Sequence, residues 1–275
     1  MTQAERLDFL VKAFQEENED YQGLAWPKTQ QEKEERLRSL MNVRVPKPLD
    51  EDVLAVQDAY LQACAKEKGI VPLSDLASVA TQYPTSTHLH ADKLILWQGD
   101  ITRLECDAIV NAANAQMLGC FIPMHHCIDN CIHTFAGAQL RVDCHQRMSQ
   151  LRKIHGGSYL QPTAVPMLTE AYNLPAKRIV HIVGPIVETV LNPTHEALLA
   201  ACYQRILNLC AEEGLKSVAF CCISTGVFRF PNARAAEIAT ETVCAWLDAH
   251  PMKMEKVIFN VFKDEDKRHY EQCLQ

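Results

Sequence analysis

No run of about 18 apolar residues occurs in the 275-residue chain, so no membrane-spanning helix is expected. Positive charge is in deficit: 27 Lys and Arg stand against 34 Asp and Glu, a net charge of -7. General nucleic-acid binding normally needs a basic patch, so this balance argues against it. There is no internal repeat and no low-complexity tract. The opening MTQAERLDFLVKAFQEE is amphipathic and acidic, unlike a secretory signal. Cysteine, by contrast, is plentiful, with 12 residues. Without a secretion signal, these point to a reducing, cytoplasmic setting rather than a disulfide framework. Cys221 and Cys222 are adjacent and could hardly pair with each other without strain. Hydrophobic residues make up 48% of the chain. A large core is therefore feasible, in one domain of ordinary size plus an extension.

The pattern divides the chain at about residue 85. Residues 1–85 read as a helical extension. Leu7, Leu10, Val11 and Phe14 fall at helical spacing. Gln30 to Met41 is rich in Glu, Lys, Arg and Leu, and Pro46 and Pro48 end it. A third helix spans about 50 to 68, with a stripe of Val53, Val56, Ala59, Tyr60 and Ala63, and Gly69 stops it. A short helix follows near Ser74. No catalytic cluster lies here, so the extension reads as a cap over one edge of the main domain, with a role in partner choice as the alternative. Tyr83-Pro84-Thr85-Ser86-Thr87 reads as the linker.

Residues 86–275 alternate short apolar runs with amphipathic helices, which argues for an α/β layered domain. Strands are expected at Lys93–Gln98, Ala108–Asn111, Ala164–Met167, Arg178–Val183, Ser217–Ile223 and Lys256–Phe262. Helices are expected near 128–150, 194–213, 232–249 and 264–273. Leu198, Leu199, Cys202, Ile206 and Leu209 form an apolar stripe on the second of these. In α/β sheets, ligands sit beyond the carboxyl ends of strands. Chemistry-bearing loops follow Trp97, Val110 and Ile223, which suggests one cleft.

The chemistry concentrates in Asn111 to Phe135, NAANAQMLGCFIPMHHCIDNCIHTF. Cys120, His125 and Cys127 form C-x4-H-x-C, two sulfurs and one nitrogen within eight residues. Zinc takes thiolate and imidazole ligands, and a catalytic site keeps three with a fourth position open. Short Cys/His tracts suggest metal binding. Spacing alone leaves a zinc site and ordinary cytosolic cysteines both open. His126, His133 and His155 compete as ligands, and Cys131 reads as core.

Four motifs resemble the ADP-ribose-binding motifs of macrodomains. They are Gly99-Asp100-Ile101-Thr102, Ala108 to Asn114 (AIVNAAN), Asp129-x-x-Ile132-His133, and Ile223-Ser224-Thr225-Gly226-Val227-Phe228. They occur in order over residues 90–275. The usual glycine-rich run between the second and third is missing, and C-x4-H-x-C stands in its place. That departure resembles the zinc-dependent branch, whose members hydrolyse ADP-ribose from proteins. The resemblance implies a three-layer α/β/α macrodomain with a mixed sheet, a Zn2+ cofactor held by Cys120, His125 and Cys127, and ADP-ribose as ligand.

It also implies roles for individual residues. Asp100 and Ile101 would read adenine, with capping of the turn before Thr102 as the lesser alternative for Asp100. Asn111 and Asn114 would bind the ribose that carries the modification, with Asn114 positioning it; loop support is the commoner role for Asn. Cys127, Ile128 and Asp129 sit at a helix N-terminus, where free N–H groups and the dipole favour a pyrophosphate. Ser224, Thr225, Gly226, Val227 and Phe228 form an anion-binding loop, with Gly226 permitting close approach and Phe228 stacking on a ring. It is not a Walker A loop, since no Gly-Lys-Ser/Thr follows. Arg229 stands where the family's loop often has Gly. Asp129 would act as general base or orient water, and helix capping is its bland alternative. The expected function is hydrolysis of mono-ADP-ribose from Asp or Glu side chains of modified proteins. A lipoyl-carrier protein modified by a sirtuin-type transferase is one expected partner. The competing readings are a non-catalytic ADP-ribose reader and a structural zinc that ties the loop down.

Overall fold

Apolar runs of four to six residues set the strands, and capped amphipathic stretches set the helices. The computed structural model describes all residues from Met1 to Gln275. The first helices are α1 (Gln3–Glu16), α2 (Glu19–Gln22), α3 (Gln30–Val43) and α4 (Glu51–Lys68). Then come β1 (Val71–Pro72), α5 (Val79–Gln82), β2 (Leu94–Gln98), β3 (Leu104–Glu105) and β4 (Ala108–Ala112). The middle holds α6 (Ile128–Ala136), α7 (Ala138–His155), β5 (Met167–Glu170) and β6 (Arg178–Ile182). The chain ends with α8 (Pro193–Glu212), β7 (Ser217–Phe220), α9 (Asn232–Ala249), β8 (Lys256–Val261) and α10 (Asp264–Leu274). No helix is long and apolar enough to cross a membrane.

Two compact units form. One comprises Met1–Gly69, Gln116–Tyr159 and Ala171–Leu174; the other comprises Ile70–Ala115, Leu160–Glu170 and Pro175–Gln275. The chain therefore does not compact along the division expected at residue 85. Gln116–Tyr159 folds with the amino-terminal helices, for a reason given by the hydrogen bonds described below.

In the first unit, Leu7, Leu10, Val11 and Phe14 of α1 pack with Leu37, Leu40 and Met41 of α3 and Tyr60 and Leu61 of α4. Full burial of side chains this size contributes about 1.5–3 kcal/mol each. Capping boxes start α1 (Thr2 with Glu5) and α3 (Thr29 with Glu32), which satisfies backbone donors that otherwise lack partners. The inner face of α4 differs from the expected stripe. It buries Gln57, Tyr60 and Leu61, because Gln57 Oε1 accepts from Ala138 N–H at 2.9 Å. The single helix expected over 128–150 is broken. Gly137, at φ +99°, separates α6 from α7, and a β-carbon there would lie 2.6 Å from Gln139 Oε1.

In the second unit a six-stranded mixed sheet runs β2-β8-β7-β4-β6-β5. All neighbours are parallel except β5, which runs antiparallel to β6. The central strands are buried on both faces, as parallel strands require. The strand expected at Ala164–Met167 lies three residues later. Ala164 has φ +62°, which excludes it from a strand. Helix α8 buries Leu199, Cys202, Tyr203, Ile206, Leu207 and Cys210. Leu198 and Leu209 of the expected stripe are only half-buried, because the Tyr203 ring turns inward to meet Phe220 at 4.9 Å. The expected linker is anchored: Tyr83 Oη donates to Glu271 at 3.1 Å and Ser86 Oγ to the Leu274 carbonyl at 2.7 Å.

Candidate active site

The first unit carries the C-x4-H-x-C loop. Cys120, His125 and Cys127 are each half-buried, and their donor atoms all lie within 4.8 Å of one another. Cys120 Sγ stands 3.6 Å from His125 Nδ1. A thiolate sulfur at about 2.3 Å and an imidazole nitrogen at about 2.05 Å from one tetrahedral ion sit roughly 3.6 Å apart. The donor types and their spacing therefore fit zinc. Three such donors would leave the fourth position of a bound ion open, as in catalytic sites. Neither His126 nor Cys131 belongs to the cluster.

Cys127 is also the N-cap of α6, its Sγ accepting from Asn130 N–H at 3.4 Å. Ser, Thr, Asp and Asn are preferred there. A thiol is a weaker acceptor than their oxygens, so helix stability alone does not account for the residue. Burial pushes the Cys127 thiol up to about 12. A bound metal cation reverses that balance, since ligating thiols are deprotonated.

Asp129 is the second residue of α6 and is buried, with Oδ1 3.6 Å from His133 Nε2 one turn on. Ile128 and Asp129 N–H groups belong to the first turn, whose donors have no carbonyl partner within the helix. An anionic group such as a phosphate would find both donors and the positive end of the helix dipole there.

Three residues outside the expected set hold this loop. Asn130, fully buried, donates from Nδ2 to the Ile122 carbonyl at 3.0 Å and the Cys120 carbonyl at 3.5 Å. Arg38 of α3 donates from Nη2 to the His125 carbonyl at 2.9 Å and to Asn130 Oδ1 at 3.1 Å. Asn42 Oδ1 accepts from Met124 N–H at 3.0 Å, and its Nδ2 donates to Thr134 Oγ1 at 2.9 Å. These bonds explain why the segment folds with the amino-terminal helices. In the sequence, Arg38 and Asn42 are indistinguishable from solvent-facing residues of a charged helix. Asn130 was legible only as the neighbour of Asp129.

In the second unit, β2, β7 and β4 share one direction, so the segments that follow them leave the same edge of the sheet. After β2, Asp100 Oδ1 accepts from Thr102 N–H at 3.0 Å and Thr102 Oγ1 at 2.6 Å. It caps the short 3-10 helix Ile101–Arg103, and Ile101 is buried. On β4, Asn111 is fully buried and its Nδ2 lies 3.0 Å from His181 Nδ1. His181 Nε2 in turn meets Thr169 Oγ1 at 3.0 Å. That polar chain crosses β4, β6 and β5. Asn114 follows β4 and is half-buried.

After β7 the loop is strained and rich in free donors. Ser224 has φ +67° and Arg229 φ +57°. A side chain in that region costs on the order of 1–3 kcal/mol. The Ser224 hydroxyl oxygen is buried without a hydrogen-bond partner. N–H groups of Ser224, Gly226, Val227 and Phe228 make no backbone hydrogen bond, while the Ser224, Gly226 and Phe228 carbonyls brace the turn. Gly226 and Val227 are exposed and Phe228 is half-buried. A loop so built presents consecutive donors to an anion. Arg229 donates to the Glu188 carbonyl at 3.1 Å.

Comparison with known proteins agrees with these features. The Macro domain family matches residues 110–239. A protein-ADP-ribose hydrolase of Treponema medium is 46% identical over 274 residues, covering 100% of both chains. A probable bifunctional ADP-ribose hydrolase/ADP-ribosyltransferase of Fusarium oxysporum is 43% identical over 248 residues, 86% of this chain and 40% of that longer one. Among solved structures, the Trypanosoma brucei macrodomain in complex with ADP-ribose superposes with a TM-score of 0.64 at 26% identity. It covers 91% of this chain and 97% of the other.

Proposed function

This chain belongs to the macrodomain family, and on that footing we propose that it is a zinc-dependent protein-ADP-ribose hydrolase. It removes mono-ADP-ribose from aspartate or glutamate side chains of modified proteins. The observation that carries this reading is the cluster of Cys120, His125 and Cys127. Binding a nucleotide needs no thiolates, whereas a three-ligand site with an open position suits hydrolysis. When bound, zinc supplies Lewis acidity toward a ribose hydroxyl or the scissile linkage, or lowers the pKa of a coordinated water.

The chain's own residues divide the remaining work. In the second unit the Ser224–Phe228 loop offers main-chain donors to the pyrophosphate; in the first, the α6 N-terminus offers its own free donors to an anion. Asp100 and Ile101 read adenine, with Asp100 Oδ1 already engaged by Thr102. Phe228 supplies a ring face. Asn114 positions the distal ribose. Asn111, whose amide is engaged by His181, fixes the strand end from which Asn114 emerges. Asp129 takes a proton from the attacking water. The water oxygen bonds to the anomeric carbon, and the bond from that carbon to the side-chain carboxylate breaks. The carboxylate leaves with the bonding pair.

Such a substrate must come from an ADP-ribosyltransferase. A sirtuin-type enzyme acting on a lipoyl-carrier protein fits this role. The Fusarium relative, whose name joins hydrolase and transferase on one chain, supports the pairing. All 12 cysteines are free thiols, in keeping with a cytoplasmic setting.

The test is release of ADP-ribose from an aspartate- or glutamate-modified protein, before and after zinc is stripped by a chelator. Release that stops on stripping and returns with zinc supports the reading. Tight ADP-ribose binding with no release in either state would make the chain a reader with a structural metal.

A further inference from the structure

The metal-binding loop has little structure of its own. Between Cys120 and Cys127 one main-chain hydrogen bond closes, from His125 N–H to the Ile122 carbonyl at 3.2 Å. Metal ligands must be held to within about half an ångström to preform a site, and outer residues do that work. The loop's supports are therefore side chains, and two of them converge.

Asn130 is fully buried, and its donors reach different parts of the loop. Its N–H reaches Cys127 Sγ at 3.4 Å. Its amide nitrogen reaches the Ile122 and Cys120 carbonyls. Its amide oxygen accepts from Arg38 Nη2. The same Nη2 reaches the carbonyl of His125. Between them the pair touches all three ligand residues. Arg38 has only donors, so it settles the direction of the Asn130 amide: a flipped amide would set N–H against N–H and leave the Cys120 and Ile122 carbonyls unheld. Arg38 comes from α3, far away in sequence.

Building on the zinc reading above, we propose that Arg38 and Asn130 act as a coupled positioning pair that preforms the Cys120, His125 and Cys127 site. Neither touches the ion or the substrate. On this account the amino-terminal helices set metal affinity through Arg38, in addition to packing.

The experiment uses the full chain as wild type, Arg38→Met, Arg38→Lys and Asn130→Ala. Zinc affinity is read by competition with a chromogenic chelator. Site geometry is read from the absorption bands of the Co2+-substituted protein. Unfolding of each zinc-free protein in urea is the control. Losing an outer-shell partner costs roughly 10- to 100-fold in metal affinity. Arg38→Met and Asn130→Ala are expected to fall by that factor and to shift the Co2+ bands. Zinc-free Arg38→Met is expected to unfold at a somewhat lower urea concentration, because the buried Asn130 amide oxygen loses its donor, while its zinc affinity falls by more than that shift accounts for. Arg38→Lys, with one ammonium in place of a fork, is expected to recover part of the loss.

Wild-type zinc affinity and Co2+ bands in Arg38→Met would overturn the inference, even if Asn130→Ala fails to fold. So would a loss of affinity matched by an equal loss of zinc-free stability, since that is a packing effect alone. A wild type that takes up no zinc would instead sink the metal reading itself, and the inference with it.

Discussion

Gly119 lies against the imidazole of His133: a β-carbon on Gly119 would stand 2.7 Å from the ring. Gly119 also has φ +79°, so both the backbone and the space demand glycine. Gly119→Ala is expected to cost on the order of 1–3 kcal/mol through that strain. It also displaces Cys120 from the ligand cluster. Urea unfolding and zinc content check the two effects, and an alanine variant with wild-type stability would contradict them.

Gly226 presents the opposite case. Nothing lies within 4 Å of the β-carbon it lacks. Gly226→Ala should change stability by no more than about 0.5 kcal/mol, as for an ordinary surface substitution. ADP-ribose affinity should nevertheless fall at least tenfold if a phosphate sits against this loop. Calorimetric titration with ADP-ribose decides; unchanged affinity would remove Gly226 from the binding site.

Asp129→Asn keeps the shape of the side chain and removes the carboxylate proposed above as the base. The release rate is expected to drop by roughly 10²–10⁴, with zinc content as in wild type. If zinc is lost together with the rate, Asp129 supports the metal site instead of moving a proton.

Alkaline pH should unfold this protein. Burial pushes the Cys106, Cys202, Cys210 and Cys221 thiols up to about 12 from an ordinary value of 9.0. Above pH 9 the unfolded chain gives up these protons while the folded chain keeps them. The folded state then binds more protons, so its stability falls as pH rises. That stability is fully present below pH 9 and is lost progressively between 9 and about 12. The urea midpoint of the zinc-free protein, measured from pH 8 to 11, should decline steadily; a flat profile would contradict the burial of these thiols as neutral groups.

The order of strands and helices followed from periodicity, because apolar runs and capped stripes are local signals. Five of the six expected strands begin within a residue of where they form. Ala164 misled because a left-handed residue cannot be read from the neighbouring apolar pattern. Gly137 misled because a helix break needs knowledge of what lies opposite, here Gln57 and Asn173. Donor chemistry was equally local: Cys120, His125 and Cys127 lie within eight residues and meet as the spacing suggested.

The α/β class, the grouping of Cys120, His125 and Cys127 and the ends of the strands before Asp100 and Asn114 were legible locally, because each depends on residues close together in the chain. By contrast, β7 stops at Phe220, three residues short of the expected Ile223. Tertiary structure alone decided that Arg38 and Asn42 brace the ligand loop, that His181 claims the Asn111 amide, and that the Ser224 hydroxyl is buried without a partner. Those facts join positions tens of residues apart or depend on an enclosed environment. A hydrogen bond across such a separation exists only once the chain has folded, and it leaves no period or spacing in the sequence.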